Sequence, residues 1–293
     1  MAEAAVGIIG GSGFYRMDSL EDARELRVET PFGEPSGEIV VGVLEGQRVA
    51  FLPRHGAGHR ILPQELPSRA NIYALKKLGV ETILGVSAVG SLREEIEPLH
   101  FVVPDQLIDR TRGRPSTFFG EGLVAHVGFA DPFCPAVRPA LVESTRESGA
   151  TAHDGGTLVV MEGPAFSTRA ESNLYRSWGA HVIGMTALPE AKLAREAEIC
   201  YATLACATDY DCWHDGREPV SADMIVGNLR RNVERAQDGV RRFLRRLPLE
   251  RDCGCRDALA SSLVTPLDLV PPETLTRLEP LLAKYRTPAG QAG

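Results

Sequence analysis

The sequence predicts one α/β domain around a buried mixed sheet, and three observations carry that expectation. Short apolar runs ending at glycine or other small residues alternate with segments of helical spacing along about 250 residues. No shift of composition and no linker divides the chain. Its 293 residues suffice for a domain that buries roughly 70–75% of its unfolded surface without a metal or disulfide staple.

Taken in order, residues 5–9 form an apolar run that meets GGSG at 10–13, a strand that stops abruptly. Residues 40–43 and 48–52 flank Glu45-Gly46, predicting a hairpin that delivers Pro53-Arg54-His55-Gly56 at its end. Residues 68–78 place Ala70, Tyr73, Ala74 and Leu78 at helical spacing, with Gly79 just past the end. A strand over 80–86 follows and ends in Ser87-Ala88-Val89-Gly90. Residues 101–103 and 157–161 are strand-like, and Thr168 to Glu171 has capping-box spacing. Residues 181–184 predict a strand, 189–199 a helix with proline in its first turn, and 203–208 a strand ending at Asp209-Tyr210-Asp211. Over 223–247, Ile225, Leu229, Val233, Ala236, Val240 and Leu244 recur three or four apart, which predicts a long amphipathic helix. Residues 110–135 have no clean period and predict an excursion beside a site or at an interface. The small residues of 287–293 predict a disordered tail, so the domain is taken as 1–286.

Composition narrows the function. A formal net charge of −7 argues against a non-specific nucleic-acid binder, while leaving room for a local basic pocket that holds an anionic small molecule. Paired arginines in 230–246 lie beside an apolar stripe, which favours a solvated or oligomer-facing helix over nucleic-acid binding. No run approaches 18 apolar residues, and the opening MAEAAVGIIGGSG lacks the pattern of a signal peptide, so a cytoplasmic protein without a membrane segment is expected. Six cysteines are too sparse for a disulfide scaffold. Cys253 and Cys255 read equally as a buried thiol pair or a strained local disulfide. No metal is expected: His-Glu-x-x-His spacing is missing, and Cys212-Trp213-His214 lacks the second cysteine pair of a closed zinc site.

Five segments could carry chemistry. GGSG could wrap an anion with its amides and the Ser12 hydroxyl, or be a tight turn without ligand. Arg16 stands where the dinucleotide fingerprint needs glycine, and the Walker lysine is missing too. Arg54-His55 at a strand end suits oxyanion binding, against the alternative of an exposed loop pair. Ser87 offers a hydroxyl where open α/β sheets place ligands, or caps the next turn. Thr186 precedes a helix and either faces a ligand or caps locally. Asp209 and Asp211 would point the same way if the strand continued through 211, there to bind a metal, pair with arginine, or accept from an amine-bearing heterocycle.

The set GIIGGSG (7–13), FLPRHGAGH (51–59), NIYALKKLGV (71–80), SAVGSLREEI (87–96), DPFCP (131–135), EGPAFSTRAES (162–172), GMTALPEAKLAREAEICYA (184–202) and ATDYDCW (207–213) resembles the 5′-methylthioadenosine phosphorylases of the trimeric purine nucleoside phosphorylase family. The likeness runs from about residue 5 to 245 and more weakly to Tyr285. It implies a mixed, partly closed sheet flanked by helices, a homotrimer that could pair into a hexamer, and no metal or organic cofactor. Inorganic phosphate is the implied co-substrate, attacking C1′ of a purine nucleoside to release the base. By motif, phosphate would be held by Ser12, Arg54, His55, Ser87, Ala88 and Thr186. Phe166 would pack on the purine, Met185 would touch the ribose, and Asp209 and Asp211 would recognise the base. His126 would reach into a neighbouring subunit's 5′ pocket.

The chemistry agrees with those residue types. Cleavage leaves positive charge on the sugar and negative charge on the departing base, so it needs a held anion and an acid near N7. Desolvation would raise the pKa of Asp209 and suit it to that proton transfer. An aspartate can also accept from a 6-amine, where asparagine would serve a 6-oxo base, so 5′-methylthioadenosine is expected before inosine-type substrates. A 6-oxopurine phosphorylase of the same fold is the closest alternative, ahead of a nucleosidase, a non-catalytic nucleoside-binding protein or an NAD oxidoreductase.

Overall fold

The computed structural model describes residues 2–11, 14, 17, 19–214, 222–247 and 251–286. Ser12 and the expected tail 287–293 lie outside the described residues. Strands β1 (Val6–Gly10), β3 (Ile39–Leu44), β4 (Gln47–Pro53) and β5 (Thr82–Ser91) stand where apolar runs predict them. Glu45 and Gly46 close the hairpin with φ of 51° and 75°, the left-handed pair that a two-residue turn between twisted strands requires. Helix α1 (Ser68–Lys77) ends at Gly79, whose φ is 88°. There Val80 N–H reaches Leu75 C=O at 3.1 Å and Gly79 N–H reaches Lys76 C=O at 3.0 Å, the bond pair of a glycine-stopped helix.

The rest follows the predicted order with additions. The predicted strands are β6 (Phe101–Val103), β9 (Thr157–Met161), β10 (Val182–Gly184) and β11 (Cys200–Asp209). Helix α3 (Arg169–Ser177) carries the full capping box between Thr168 and Glu171. Helix α4 (Ala187–Glu196) includes a non-helical Leu188, so its regular part opens at Pro189 as expected, but it stops three residues early. Glu198 turns left-handed there, with φ of 57°, and feeds β11. Helix α5 (Ala222–Arg245) matches the long amphipathic span. Unforeseen elements are the edge strand β2 (Glu21–Leu26), β7 (Gln106–Arg110), β8 (Ala152–Asp154), and helices α2 (Val137–Glu147), α6 (Pro272–Arg277) and α7 (Glu279–Leu282).

All the strands join one mixed sheet in the order β2-β3-β4-β1-β5-β10-β9-β7, with β11, β6 and β8 branching from β5. Strand β5 is the fork. Its first half pairs in parallel with β1, from Thr82 to Gly85, and with β11 on the other side. Its last residues, Gly90 and Ser91, pair antiparallel with β10. Between these, residues 86–89 have no strand partner on the side that β1 leaves.

Period-two alternation sends the sheet's side chains into two cores. Ile9, Ile83, Tyr201 and Ala205 face one core with Ile72 and Leu75 of α1 and Leu193 of α4. Ile8, Leu84, Ala202 and Leu204 face the other with Leu141 of α2 and Val240 and Phe243 of α5. The C-terminal segment joins both, through Leu259, Leu278 and Leu282 in the first and Cys253 and Cys255 in the second.

Candidate active site

Where β1 and β10 part on the flank of β5, a cavity of about 430 Å³ opens. It lies outside the carboxyl ends of parallel strands, the usual ligand position in open α/β sheets. Its walls include Gly11, Arg54, His55, Ser87, Ala88, Phe166, Met185, Thr186, Asp209 and Asp211. Nine of the eleven residues singled out in the sequence therefore share one cavity. Ser12 lies outside the described residues, although its neighbour Gly11 is in the wall. His126 is exposed and is not in the cavity of its own chain; its amide is tied to Ser262 C=O at 2.8 Å.

One side of the cavity is set by the turn after β4. Arg54 is only 2% exposed, which removes the exposed-loop reading. Its Nε donates to Glu190 Oε1 at 2.6 Å and its Nη2 to Oε2 at 3.2 Å. Nη1 donates to Val86 C=O at 2.8 Å, and Nη2 also to Ile9 C=O at 3.1 Å. Burial opposes the guanidinium charge, yet Glu190 outweighs it and holds the Arg54 pKa above its ordinary value. Tyr201 donates its hydroxyl to Glu190 at 3.0 Å and completes the arrangement. Only part of the Arg54 fork is thus left for a ligand; the rest fixes its place.

His55 Nδ1 is 2.8 Å from Ile61 C=O. A carbonyl only accepts, so Nδ1 carries the proton and Nε2 of the neutral ring is an acceptor. The ring stacks on His59 at 4.1 Å. Burial, aided by the charge of Arg54 and by His59, lowers the His55 pKa to about 4, so the ring is neutral near pH 7.

Ser87 and Ala88 lie in the middle of β5 rather than at its exit, because β5 continues to Ser91 along β11. Both still face the cavity, through the stretch that lacks a strand partner on the flank away from β11. Thr186 makes no side-chain capping bond to α4, so the local-cap reading fails and the hydroxyl is available in the cavity wall.

The other side of the cavity is carboxylic. Asp209 is 5% exposed at the end of β11. It accepts from the Thr208 hydroxyl and from Asp211 N–H, each at 2.8 Å. Burial raises its pKa, with Asp211 adding to the shift while those two bonds oppose it. Asp209 crowds Gly90, where a Cβ would stand 3.0 Å from Oδ1. Burial also raises Asp211, whose Oδ2 is buried with no hydrogen-bond donor among the described residues. Strand alternation does not bring the two together, since β11 ends at Asp209. A turn with Asp211 at φ of 51° does so instead. Along β5, Val86 meets Arg54 and Gly90 meets Asp209, so roughly 13 Å of strand separates the cationic and carboxylic sides.

Several wall and support residues were not foreseen. Helix α5 is not merely a solvated or oligomer-facing helix: Ile225, Val226, Leu229 and Arg230 of its first turns line the cavity, while Ala236, Val240 and Phe243 enter the core. Asn228 anchors it by donating to Thr208 C=O at 2.7 Å. Arg114, from the segment without period, donates to Met185 C=O at 2.7 Å, Leu188 C=O at 2.9 Å and Glu162 C=O at 2.6 Å. It ties the loop after β9, which carries Gly163 and Phe166, to the loop that carries Met185 and Thr186. Gly163 allows their close approach, since a Cβ there would stand 2.6 Å from Met185 Sδ. The periodic stripe of α5 was the one signal available for its wall; nothing local marks Arg114 or Glu190.

Fork, anion-suited turn and buried carboxyl pair define an α/β protein that holds an anion and a polar heterocycle side by side. The Phosphorylase superfamily model matches residues 5–245, and the chain belongs to that family. A protein of Geobacter sulfurreducens named S-methyl-5′-thioadenosine phosphorylase is 57% identical over 97% of this chain and 99% of its own length. One of the same name from Koribacter versatilis is 56% identical over 97% of each chain. The crystal structure of a methylthioadenosine phosphorylase from an Antarctic soil metagenomic library matches with a TM-score of 0.91 and 51% identity, over 96% of this chain and all of that one. A Schistosoma mansoni methylthioadenosine phosphorylase in complex with adenine matches with a TM-score of 0.79 and 37% identity, over 82% and 91% of the two chains.

Proposed function

We propose that this protein phosphorolyses S-methyl-5′-thioadenosine to adenine and 5-methylthioribose 1-phosphate. The observation that carries the reading is the single cavity lined by Arg54, His55, Ser87, Ala88 and Thr186 together with the buried Asp209 and the half-buried Asp211. The relatives' shared name supports the substrate. Phosphate held between the β4 turn and the free flank of β5 attacks C1′, and the C1′–N9 bond breaks with its electrons moving into the purine. Asp209, whose pKa burial raises, is suited to give a proton to N7. Asp211, with an unpartnered buried oxygen, is suited to accept from an amine of the base. Phe166, 45% exposed in the cavity wall, offers a ring face to the purine, and Met185 the ribose contact.

No organic or metal cofactor enters this chemistry; phosphate is consumed as co-substrate. On this reading Ser12, which follows the wall residue Gly11 in sequence, would offer its hydroxyl to phosphate. In a homotrimer, or a pair of trimers, His126 would complete a neighbour's 5′ pocket. No helix among the described residues is long and apolar enough to cross a membrane. The unpaired cysteines suit the reducing cytoplasm, where the reaction would return adenine and the thiosugar to purine and methionine salvage.

The test is base release from a panel of 6-amino and 6-oxo nucleosides, with and without phosphate. Adenine release that requires phosphate, with 5′-methylthioadenosine ahead of 5′-methylthioinosine and inosine, is expected. A mismatched polar edge in a built site costs up to about 10⁴–10⁵ in discrimination. Equal rates on both classes would defeat the amine reading, and phosphate-independent release would make the protein a nucleosidase.

A further inference from the structure

Four cysteines from three separate parts of the chain converge away from the cavity. Cys134 precedes α2, Cys200 opens β11, and Cys253 and Cys255 belong to the C-terminal segment. Their Sγ atoms all lie within 4.8 Å of one another, and the residues are 0%, 0%, 8% and 2% exposed. None is in a disulfide. Of the two readings of Cys253 and Cys255, the buried thiol pair holds and the local disulfide does not, and two further thiols join the pair.

The spacing is informative. A metal with tetrahedral bonds of about 2.3 Å to sulfur has an edge of about 3.8 Å between sulfurs. Cys200 and Cys253 are 3.5 Å apart, much longer than a disulfide bond and close to that edge. The surroundings suit thiolates. Cys134 lies just before the start of α2, whose first backbone amides favour a thiolate there. Arg251, which pairs with Glu81 at 3.1 Å, brings its positive charge close to Cys200 and Cys253. Arg195 interacts favourably with a Cys255 thiolate. Amide donors and nearby cations are what a tetrathiolate of net charge −2 needs around it.

We propose that Cys134, Cys200, Cys253 and Cys255 bind one divalent zinc ion as a closed structural site. Four thiols lose four protons as four Zn–S bonds form, and no electron is transferred. Zinc fits because soft thiolates in a closed tetrahedral set favour it and no open position is left for chemistry. The ion would clamp the C-terminal segment to β11 and α2. That segment supports the wall outside the cavity: Leu263 pairs with Ala125, and Ser262 C=O holds the amide of His126.

The test is metal content of the full chain purified with a phosphine reductant and no chelator, read by plasma mass spectrometry. About one zinc per chain is expected. Cys253→Ser with Cys255→Ser should reduce zinc to background and lower Tm, whereas Cys206→Ala, at a buried cysteine outside the group, should keep the metal. Cobalt substituted into the wild-type chain should show the visible spectrum of tetrahedral sulfur ligation. Wild-type protein with no zinc and six freely alkylated thiols would overturn the proposal, as would iron in place of zinc or disulfides in peptides alkylated before reduction. Measuring metal on the wild-type chain keeps the test decisive even where the serine variant fails to fold.

Discussion

The two sides of the cavity treat charge in opposite ways. At the β4 turn the cation Arg54 is buried against an equally buried anion, Glu190, with 2% of each side chain exposed. On the β11 side the buried Asp209 stands beside the half-buried Asp211, both pKa values are raised, and no ion pair joins either to a cation among the described residues. Breaking a buried pair leaves a charge without compensation, so the first side is rigid and already neutralised before any anion arrives. The second disfavours charge, which suits it to carry a proton. A scaffold is built at one side and a reagent at the other.

Glu190→Gln is the sharpest way to break the scaffold. Removing one partner of a buried pair costs about 3–5 kcal/mol, and Arg54 then carries an unneutralised buried charge. We expect urea unfolding to report most of that loss without phosphate, and a larger phosphate-induced rise in Tm than for the wild-type chain. A variant as stable as its parent, with an unchanged phosphate response, would show that Glu190 does not hold Arg54 in place.

Asp209→Asn addresses the reagent. The amide keeps the size of the side chain, although its NH₂ group accepts no hydrogen bond, so one of the two bonds now received from Thr208 and Asp211 is lost. Nor can it transfer a proton as an acid does, and general acids contribute typically about 10²–10⁴. We expect kcat/KM for 5′-methylthioadenosine to fall at least about tenfold and the 6-oxo to 6-amino ratio to rise. The sign of the pH dependence follows from the raised pKa: the active form is protonated, so activity falls as pH rises through that value. The variant should lose this descending limb. A folded Asp209→Asn protein with its parent's rate, ratio and pH profile would refute the acid assignment.

The same contrast explains what could be read from the sequence. Strands β1, β5 and β11 announce themselves because they are buried along most of their length and are mainly apolar, and β3 and β4 because apolar runs flank Glu45-Gly46. Strand β2 does not: EDAREL is almost wholly exposed at the sheet edge, so no alternation marks it. Helix α2 hides behind Pro139, a breaker that its first turn tolerates. Arg54, His55, Thr186 and Asp209 were legible because polar residues interrupt small or apolar runs at element ends. Their partners were not: Glu190 and Arg54 are 136 residues apart, and only folding makes them a pair. The cysteine group is a stronger case, because Cys134 and Cys200 precede Cys253 and Cys255 by entire strand-helix units and no short spacing signals them. The expectation for Asp209 and Asp211 was right about the cavity and wrong about the cause, since a turn does what alternation was expected to do.

His126 tests whether the two sides suffice. It stands exposed in a segment whose contact at Ser262 uses only its backbone, so its side chain has no role visible within one chain's cavity. On the shared-site reading, His126→Ala should raise KM for 5′-methylthioadenosine several-fold, while kcat, KM for phosphate and stability stay near those of the parent. A local role in the same chain would predict a different outcome for mixed assemblies. Co-expressed His126→Ala and Asp209→Asn chains would form sites that take Asp209 from the first and His126 from the second, restoring the parent's KM to a fraction of the active sites. If the mixture shows only the raised KM, or if light scattering finds a fully active monomer at assay concentration, His126 does not serve a neighbour. The cavity of one chain would then be the whole site.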